Sequence, residues 1–428
     1  MKRLRVICAT AVAIAAAGTL AAGCGTRPAP NPSPARQARG VAVVEPPASA
    51  KPYAAADLAF GLEMLGAWCQ SDPAGNIVLS PSSLASGLGM AYLGAGGQTA
   101  RAIAAVLHLP ASRSIEAGLQ ARSRALAQLD GPGVTVATAD RVWTDPRLLP
   151  LRRYLNAVAT GYGAGVGRVP LLTDPAMATR QIDAAIAAAT KGHITKLLTP
   201  GDVQGAIFVL TDALYLKAKW ADPFDPGQTT TGPFSTAAGQ RVQAHYLNGS
   251  AVTSAAADGW TAVSLPYQGG RLSMTALLPP APSARAASAA SCPEPSPGTV
   301  ATITRRLASR AAGSSQVLLP KVSLSTQANV VGLLTKLGMG VAFSGAADFG
   351  RMSPQAGSLG TVEHAATLRV DAQGTVGSAA TGVVVLPTAA HATTPPPIVF
   401  NRPYLLLVSA AGSGEPLFLA RVADPAVQ

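Results

Sequence analysis

The chain has 428 residues, 48% of them hydrophobic and only 13% charged, with a formal net charge of +12. That composition supplies ample core-forming material and excludes a disordered chain, and the length suits one large mixed domain of about 370 residues behind a leader. Half of the net charge lies in the first 52 residues, where seven Lys/Arg face Glu45 alone; the rest is too dilute to argue for nucleic acid.

Lys2, Arg3 and Arg5 precede an apolar run from Val6 to Ala22, which reads as an export signal over residues 1–23. The run closes in Leu20-Ala21-Ala22-Gly23-Cys24. This resembles a bacterial lipoprotein signal, in which the Cys is lipidated and becomes the new N-terminus, although Ala21 stands where a Leu is usual. Simple secretion with cleavage at the same small residues is the alternative. Residues 24–52, rich in Pro, Ala and Arg, are expected to form an extended tether ahead of a domain over 53–428. More than one lipid chain on Cys24 makes such an anchor stable. The setting is extracytoplasmic, as a membrane lipoprotein or a secreted protein.

Within the domain, Leu58, Leu62, Met64 and Leu65 predict an amphipathic helix over 53–69. Ser80-Pro81 opens a second, which ends before Gly94, and Thr99 caps a third over Ala100 to Leu107. Gln181 to Leu198 reads as helix passing into a turn at Gly192. Ala206 to Leu216 reads as a buried strand, and Thr261 to Leu278 as a strand pair around Gly269-Gly270. Residues 281–297 form an Ala/Ser/Pro surface insertion. Val317 to Leu324 is a strand, Ala328 to Leu337 a short helix, and Tyr404–Val408 and Leu417–Val422 two further strands. Helices early and strands late make this α+β. Of four cysteines, only Cys69 and Cys292 fall in the domain; they pair or stay free, and their separation excludes a metal knuckle.

Several segments resemble the serpin family. Asn76 to Ser83 is similar to its early strand-to-helix signature, and Gly94 to Thr99 to the turn that follows. Thr211 to Trp220 resembles the central strand of its main sheet, continued by Pro223 to Pro226. Leu337-Gly338-Met339 and Asp348-Phe349 match a helix-to-loop passage; Phe400 to Tyr404 and Pro416 to Phe418 match the C-terminal signature. The order and spacing hold over roughly 53–426. The resemblance implies the serpin fold, with three β-sheets, eight or nine helices and an exposed reactive loop. It also implies a protease inhibitor with no enzymatic activity, no metal and no cofactor.

In the family, the segment after Val370 is the loop hinge: here Gly374, Thr375, Val376, Gly377, Ser378, Ala379, Ala380 and Thr381. Read physically, residues 372–401 carry no Asp, Glu, Lys or Arg. Alternate positions Thr375, Gly377, Ala379, Thr381, Val383 and Val385 are small or β-branched, so all could enter a sheet core without a buried charge. Each new ladder bond on insertion gives on the order of 1 kcal/mol, opposed by ordering entropy. The family usually has Glu where Ala372 stands and Ala where Gly377 stands; Gly weakens a strand. Counting from the hinge places the cleaved bond at Thr388-Ala389; counting back from Phe400 allows Ala390, His391 or Ala392. A small residue there suits an elastase-like or subtilisin-like serine protease as partner. The expected molecule is a monomer anchored through Cys24, with no nucleic-acid partner. A non-inhibitory serpin-fold binding protein is the alternative.

Ser80 or Ser83, Asp212 and His364 also invite a hydrolase reading, but no Gly-x-Ser-x-Gly elbow accompanies them. By resemblance they form the shutter, a buried polar network beneath the main sheet, with Trp220 at the breach above it. Asp212 stands where the family usually has Asn, and an Asp–His pair there would make opening pH-dependent.

Overall fold

The structure, a computed structural model, describes residues 34–112, 114–281, 292–309, 312–375 and 396–426. The described part of the tether is extended, as its prolines imply, but it is bound to the body well before residue 53. Strand β1 (Arg36–Ala38) pairs antiparallel with β5 (Val166–Arg168). Backbone N–H groups of Val41 and Val43 then donate to Asn156 and Thr160, so the segment finds partners it could not supply itself.

Helix α1 (Lys51–Ser71) buries Tyr53, Asp57, Phe60 and Met64, one face at helical spacing. After β2 (Ile77–Leu79) comes α2 (Pro81–Gly94), where the Ser80 hydroxyl accepts from the Ser83 N–H at 3.2 Å as the expected N-cap. Helix α3 (Gly97–Val106) starts two residues ahead of Thr99, at Gly97, whose left-handed φ of 48° suits glycine. The Thr99 hydroxyl instead accepts from the Asp348 N–H. Next follow α4 (Ile115–Ala127), β3 (Val134–Thr138), β4 (Arg141–Thr144), α5 (Arg152–Tyr162) and β5. Helix α6 (Pro175–Ala189) begins ahead of the predicted Gln181 under an Asp174 cap and stops at Thr190, long before Leu198.

Strand β6 (Phe208–Lys219) is buried on both faces over most of its length. Beyond it lie β7 (Thr230–Ser235), β8 (Arg241–Ala257), β9 (Trp260–Pro266), β10 (Leu272–Leu278) and α7 (Pro297–Leu307). The Cys69–Cys292 disulfide, with a Cα separation of 5.8 Å, fastens the insertion to α1. The strand expected over Val317–Leu324 is two: β11 (Gly313–Pro320) and β12 (Val322–Asn329) join different sheets across Pro320-Lys321, where Pro has no N–H to continue a ladder. The predicted helix over Ala328–Leu337 contracts to α8 (Val331–Leu334) followed by wider turns around Gly338. The chain ends in β13 (Val362–Val370), β14 (Gly374–Thr375), β15 (Ile398–Val399), β16 (Tyr404–Ala410) and β17 (Pro416–Val422).

One sheet has eight strands in the order β1-β5-β4-β6-β14-β13-β12, with β3 also on β6. The other has nine, β15-β11-β8-β9-β10-β16-β17-β2 with β7 on β8. The expected three sheets appear here as two ladders because the 17-residue β8 bends at Ala251 (φ 58°) and runs through two of them. The described residues hold eight α-helices. Between the sheets and behind α1 and α2 lie two large apolar clusters. A third, with Trp143, Ile182, Ile186, Leu197 and Val209, seats α6 on the opposite face of the eight-stranded sheet.

Candidate functional site

Strands β6 and β13 pair directly and in parallel only from Leu210↔Val362 to Leu214↔Ala366. Past that point they part, and β14 sits between them, antiparallel to both: Thr375 lies opposite Ala218 on one side and Val370 on the other. The chain therefore begins to fill the seam of its own sheet. Between Leu214↔Ala366 and this rung, residues 215–217 and 367–369 have no ladder to each other.

Aromatic rings cap this end. Thr375 is fully buried, and its hydroxyl lies 2.6 Å from the Tyr267 hydroxyl. The Tyr267 ring stacks on Trp220 at 4.5 Å between centroids, and burial pushes its phenol above the usual range. The Trp220 indole N–H donates to the Asp371 carbonyl at 2.9 Å, and the Phe224 N–H to that of Ala372. The Asp371 carboxylate accepts from the N–H groups of Gln373 and Gly374. A Cβ on Gly374 would run into the Ala218 carbonyl oxygen, so this close approach requires glycine. Ala372 is buried in the core beneath, a place where a carboxylate would cost desolvation.

Below lies the shutter. His364 and Asp212 are register partners on β13 and β6, with Nδ1 3.3 Å from Oδ1 and both side chains buried. That contact is off the hydrogen-bonding line, leaving His364 Nδ1 and both Asp212 oxygens without a hydrogen bond among the described residues. The Ser80 N–H donates to His364 Nε2 at 3.4 Å, while the Ser83 hydroxyl donates to Asp140. Burial raises the Asp140 carboxyl well above its ordinary value, the nearby Asp212 adds to this, and the Ser83 and Ser86 hydroxyls and Arg122 act against it.

Arg122 lies one layer deeper. Its guanidinium donates to Asp57 at 2.6 Å, to Glu415 at 2.9 Å and to Ser86 at 2.9 Å. Burial works against that charge, but the two acids hold it, and burial raises Asp57.

The residues expected at the shutter, Ser80, Ser83, Asp212 and His364, are thus brought together, and Trp220 stands at the hinge end. They are not arranged as a triad. His364 faces the backbone of Ser80, whose hydroxyl caps α2, and Ser83 is turned to Asp140. All are buried, so no hydroxyl is offered to a substrate. Gly374 and Thr375 are placed; Val376 to Thr381, the bonds at Thr388 to Ala392, and Cys24 lie outside the described residues. Asp140, Tyr267 and the Asp57–Arg122–Glu415 group escaped sequence reasoning, since their partners are far away in the chain. Among the described residues, no group of three or more His, Cys, Asp or Glu could hold a metal ion.

A two-sheet body whose loop base enters the seam of the main sheet defines the class of loop-inserting protease inhibitors. The chain belongs to the serpin family: the family model described as Serpin (serine protease inhibitor) matches residues 55–425. It is 32% identical over 370 residues to Serpin-ZXA of Oryza sativa subsp. japonica, covering 82% of this chain and 90% of that one. It is 28% identical to the leukocyte elastase inhibitor of Bos taurus, covering 87% and 99%. Its fold is similar to that of the thermophilic serpin tengpin in the native state, with TM-score 0.76, 20% identity, and 92% and 100% coverage.

Proposed function

We propose that this serpin inhibits serine proteases as a suicide substrate. The protease serine attacks the Thr388 carbonyl, an ester forms, and the Ala389 amine leaves with the serine's proton. The freed strand then enters the seam and carries the ester-bound protease with it before water can act. The observation that carries this reading is the register of β14. Continued from Thr375↔Ala218 and Thr375↔Val370, it turns Thr375, Gly377, Ala379 and Thr381 toward the core and brings Thr381 between Asp212 and His364. From Thr375 to Thr388 there are 13 residues, a span of roughly 43 Å as a strand. That is enough to take the protease from one end of β6 to the other.

The small residue at Thr388 fits an elastase-like or subtilisin-like pocket. Incubation with both enzymes is expected to give an SDS-stable complex, with mass analysis of the released fragment beginning at Ala389. Cleaved chain without complex would favour the second reading, a non-inhibitory serpin-fold binding protein, to which the departures at Ala372 and Gly377 lend support.

Residues 1–24 support a bacterial, exported molecule held to the membrane by lipid on Cys24. Expression with Cys24→Ser tests this: the protein should move from the membrane fraction to the medium. Retention in the membrane would rule the anchor out.

A further inference from the structure

The chain enters the described body at Pro34, and the first rung of β1 sets Arg36 opposite Arg168 of β5. Arg168 is level with Thr144 of β4, and Thr144 with Phe208, the first residue of β6. The hinge rung at Lys219 lies eleven residues along that strand, roughly 36 Å away. The tether therefore joins the pole opposite the hinge. At this pole the Arg168 guanidinium donates to the Pro146 carbonyl, and Arg147 reaches Asp145 at 3.2 Å. The same loop runs into Arg152 and Arg153, the first two residues of α5. The Leu151 N–H donates to the Met352 carbonyl, which brings Arg351 alongside. All of these arginines are exposed except Arg168, which is half-buried.

By itself this gathering costs stability. Like charges directly opposite on paired strands repel, as Arg36 and Arg168 do. Cations at a helix N-terminus oppose its dipole, as Arg152 and Arg153 do. Arg36, Arg152, Arg153, Arg168 and Arg351 have no acid within ion-pair distance among the described residues. Asp145 is buried and already taken by Arg147 and by the Leu172 N–H. Asp174 caps α6 and Asp348 holds the Gly350 N–H, so six arginines stand against three aspartates. Among them lies Leu149, 59% exposed. Its neighbour Leu148 is fully buried and Pro150 follows, so the loop is fixed with Leu149 outward. Outside the tether it is the one large hydrophobic side chain left so exposed among the described residues.

We propose that this pole is a docking surface for an anionic bilayer, with its arginines on lipid phosphates and Leu149 in the headgroup layer. The guanidinium fork matches phosphate oxygens. Basic side chains at an anionic surface and an apolar side chain at the headgroup boundary add their attractions. A soluble polyanion would use the arginines and leave Leu149 in water. Ten residues separate Cys24 from Pro34, a reach of at most about 36 Å. A lipid on Cys24 would keep this pole, and not the hinge, near the bilayer; this clause alone rests on the anchor reading above. Docking here sets the molecule upright, with the hinge and its seam pointing away from the membrane.

The test is co-sedimentation of the Cys24→Ser chain, which carries no lipid, with vesicles of phosphatidylglycerol mixed into phosphatidylcholine and of phosphatidylcholine alone. Every further change is made in this background, so residues 1–33 contribute equally throughout. Binding to the anionic vesicles is expected to be about ten-fold tighter or more, fading with added salt. Each basic residue at such a surface is worth roughly five-fold. Arg351→Glu should therefore cost about five-fold, and Arg152→Glu with Arg153→Glu about twenty-fold or more. That pair should leave the midpoint of chemical unfolding unchanged or raise it, since acids suit a helix N-terminus. Leu149→Ser should weaken binding several-fold. Val44→Ser, on the tether valine that is 81% exposed beside the far end of α5, should not. Equal binding to both vesicles, or anionic binding that survives the double reversal, overturns the surface. So does soluble polyphosphate bound as tightly as the vesicles, with Leu149→Ser without effect, which would assign the arginines to a soluble polyanion. The anchor is read separately, in membrane fractions washed with high salt, which screens the arginines and leaves a lipid chain in place. If the unaltered chain is lost to that wash while the Cys24→Ser chain binds anionic vesicles at low salt, the anchor falls and the surface stands.

Discussion

The two ends of one seam are built on opposite terms. At Lys219 and Val370 the space between β6 and β13 is already filled by Gly374-Thr375, roofed by Trp220 and Tyr267, with the backbone donors and hydroxyls paired. Seven residues down β6, roughly 23 Å at a strand's rise, Asp212 and His364 face each other with polar atoms left short of partners. Each buried unsatisfied group costs about 1–3 kcal/mol. The hinge end is complete and holds; the shutter is left short of hydrogen-bond partners, and on the insertion proposed above Thr381 would bring it a hydroxyl. Stability at rest and drive toward insertion are thus placed at different points of the same two strands.

The most damaging way to break this division is at the filled end. Thr375→Arg puts a charge into a fully buried rung, and no insertion can begin there. Loss of SDS-stable complex by at least a hundred-fold, with cleavage of the loop retained, is expected on a gel. Next comes the support beneath the shutter. Arg122→Ala strands Asp57 and Glu415 in the interior and should cost about 3–5 kcal/mol in denaturant unfolding. Tyr267→Phe removes one buried bond to Thr375 and should cost about 1–2 kcal/mol by the same measurement, with faster loop release seen as faster proteolysis.

The smallest effect sharpens the contrast by pH. Burial lifts Asp57 and Asp140 above their unfolded value, so the folded chain holds those protons more tightly than the unfolded one. Their contribution is full below the unfolded carboxylate value and is lost as pH rises through the raised folded values. Midpoints of chemical unfolding should therefore be higher at pH 5 than at pH 7.5, and Asp140→Asn should narrow the gap. Equal midpoints at both pH values would place the acid sensitivity elsewhere.

Local rules carried the fold where local chemistry decides it. Ser80-Pro81 caps α2 as its side chain dictates, and Gly269-Gly270 turns β9 into β10 through two left-handed glycines. Thr375 faces inward as its place in the alternation required. What stayed illegible depends on distant partners. Nothing near Arg122 announces Glu415, 293 residues away. Strand β3 has no meaning without β6, and the break at Pro320-Lys321 appears only once β11 and β12 have chosen different sheets. The Ala/Pro tether of low sequence complexity read as free chain because its hydrogen-bond partners, Asn156 and Thr160, belong to α5.

The bond proposed for cleavage, at Thr388, precedes β15, β16 and β17 in the chain, and β16 and β17 are interior strands of the nine-stranded sheet, flanked by β10 and β2. Cutting it changes the molecularity of the fold. The C-terminal strands then stay only by packing and ladder bonds, as a tightly bound peptide does. Once the cleaved molecule is unfolded, re-forming it becomes a bimolecular event that depends on concentration. Refolding of the single chain does not depend on its concentration; refolding of the cleaved molecule would.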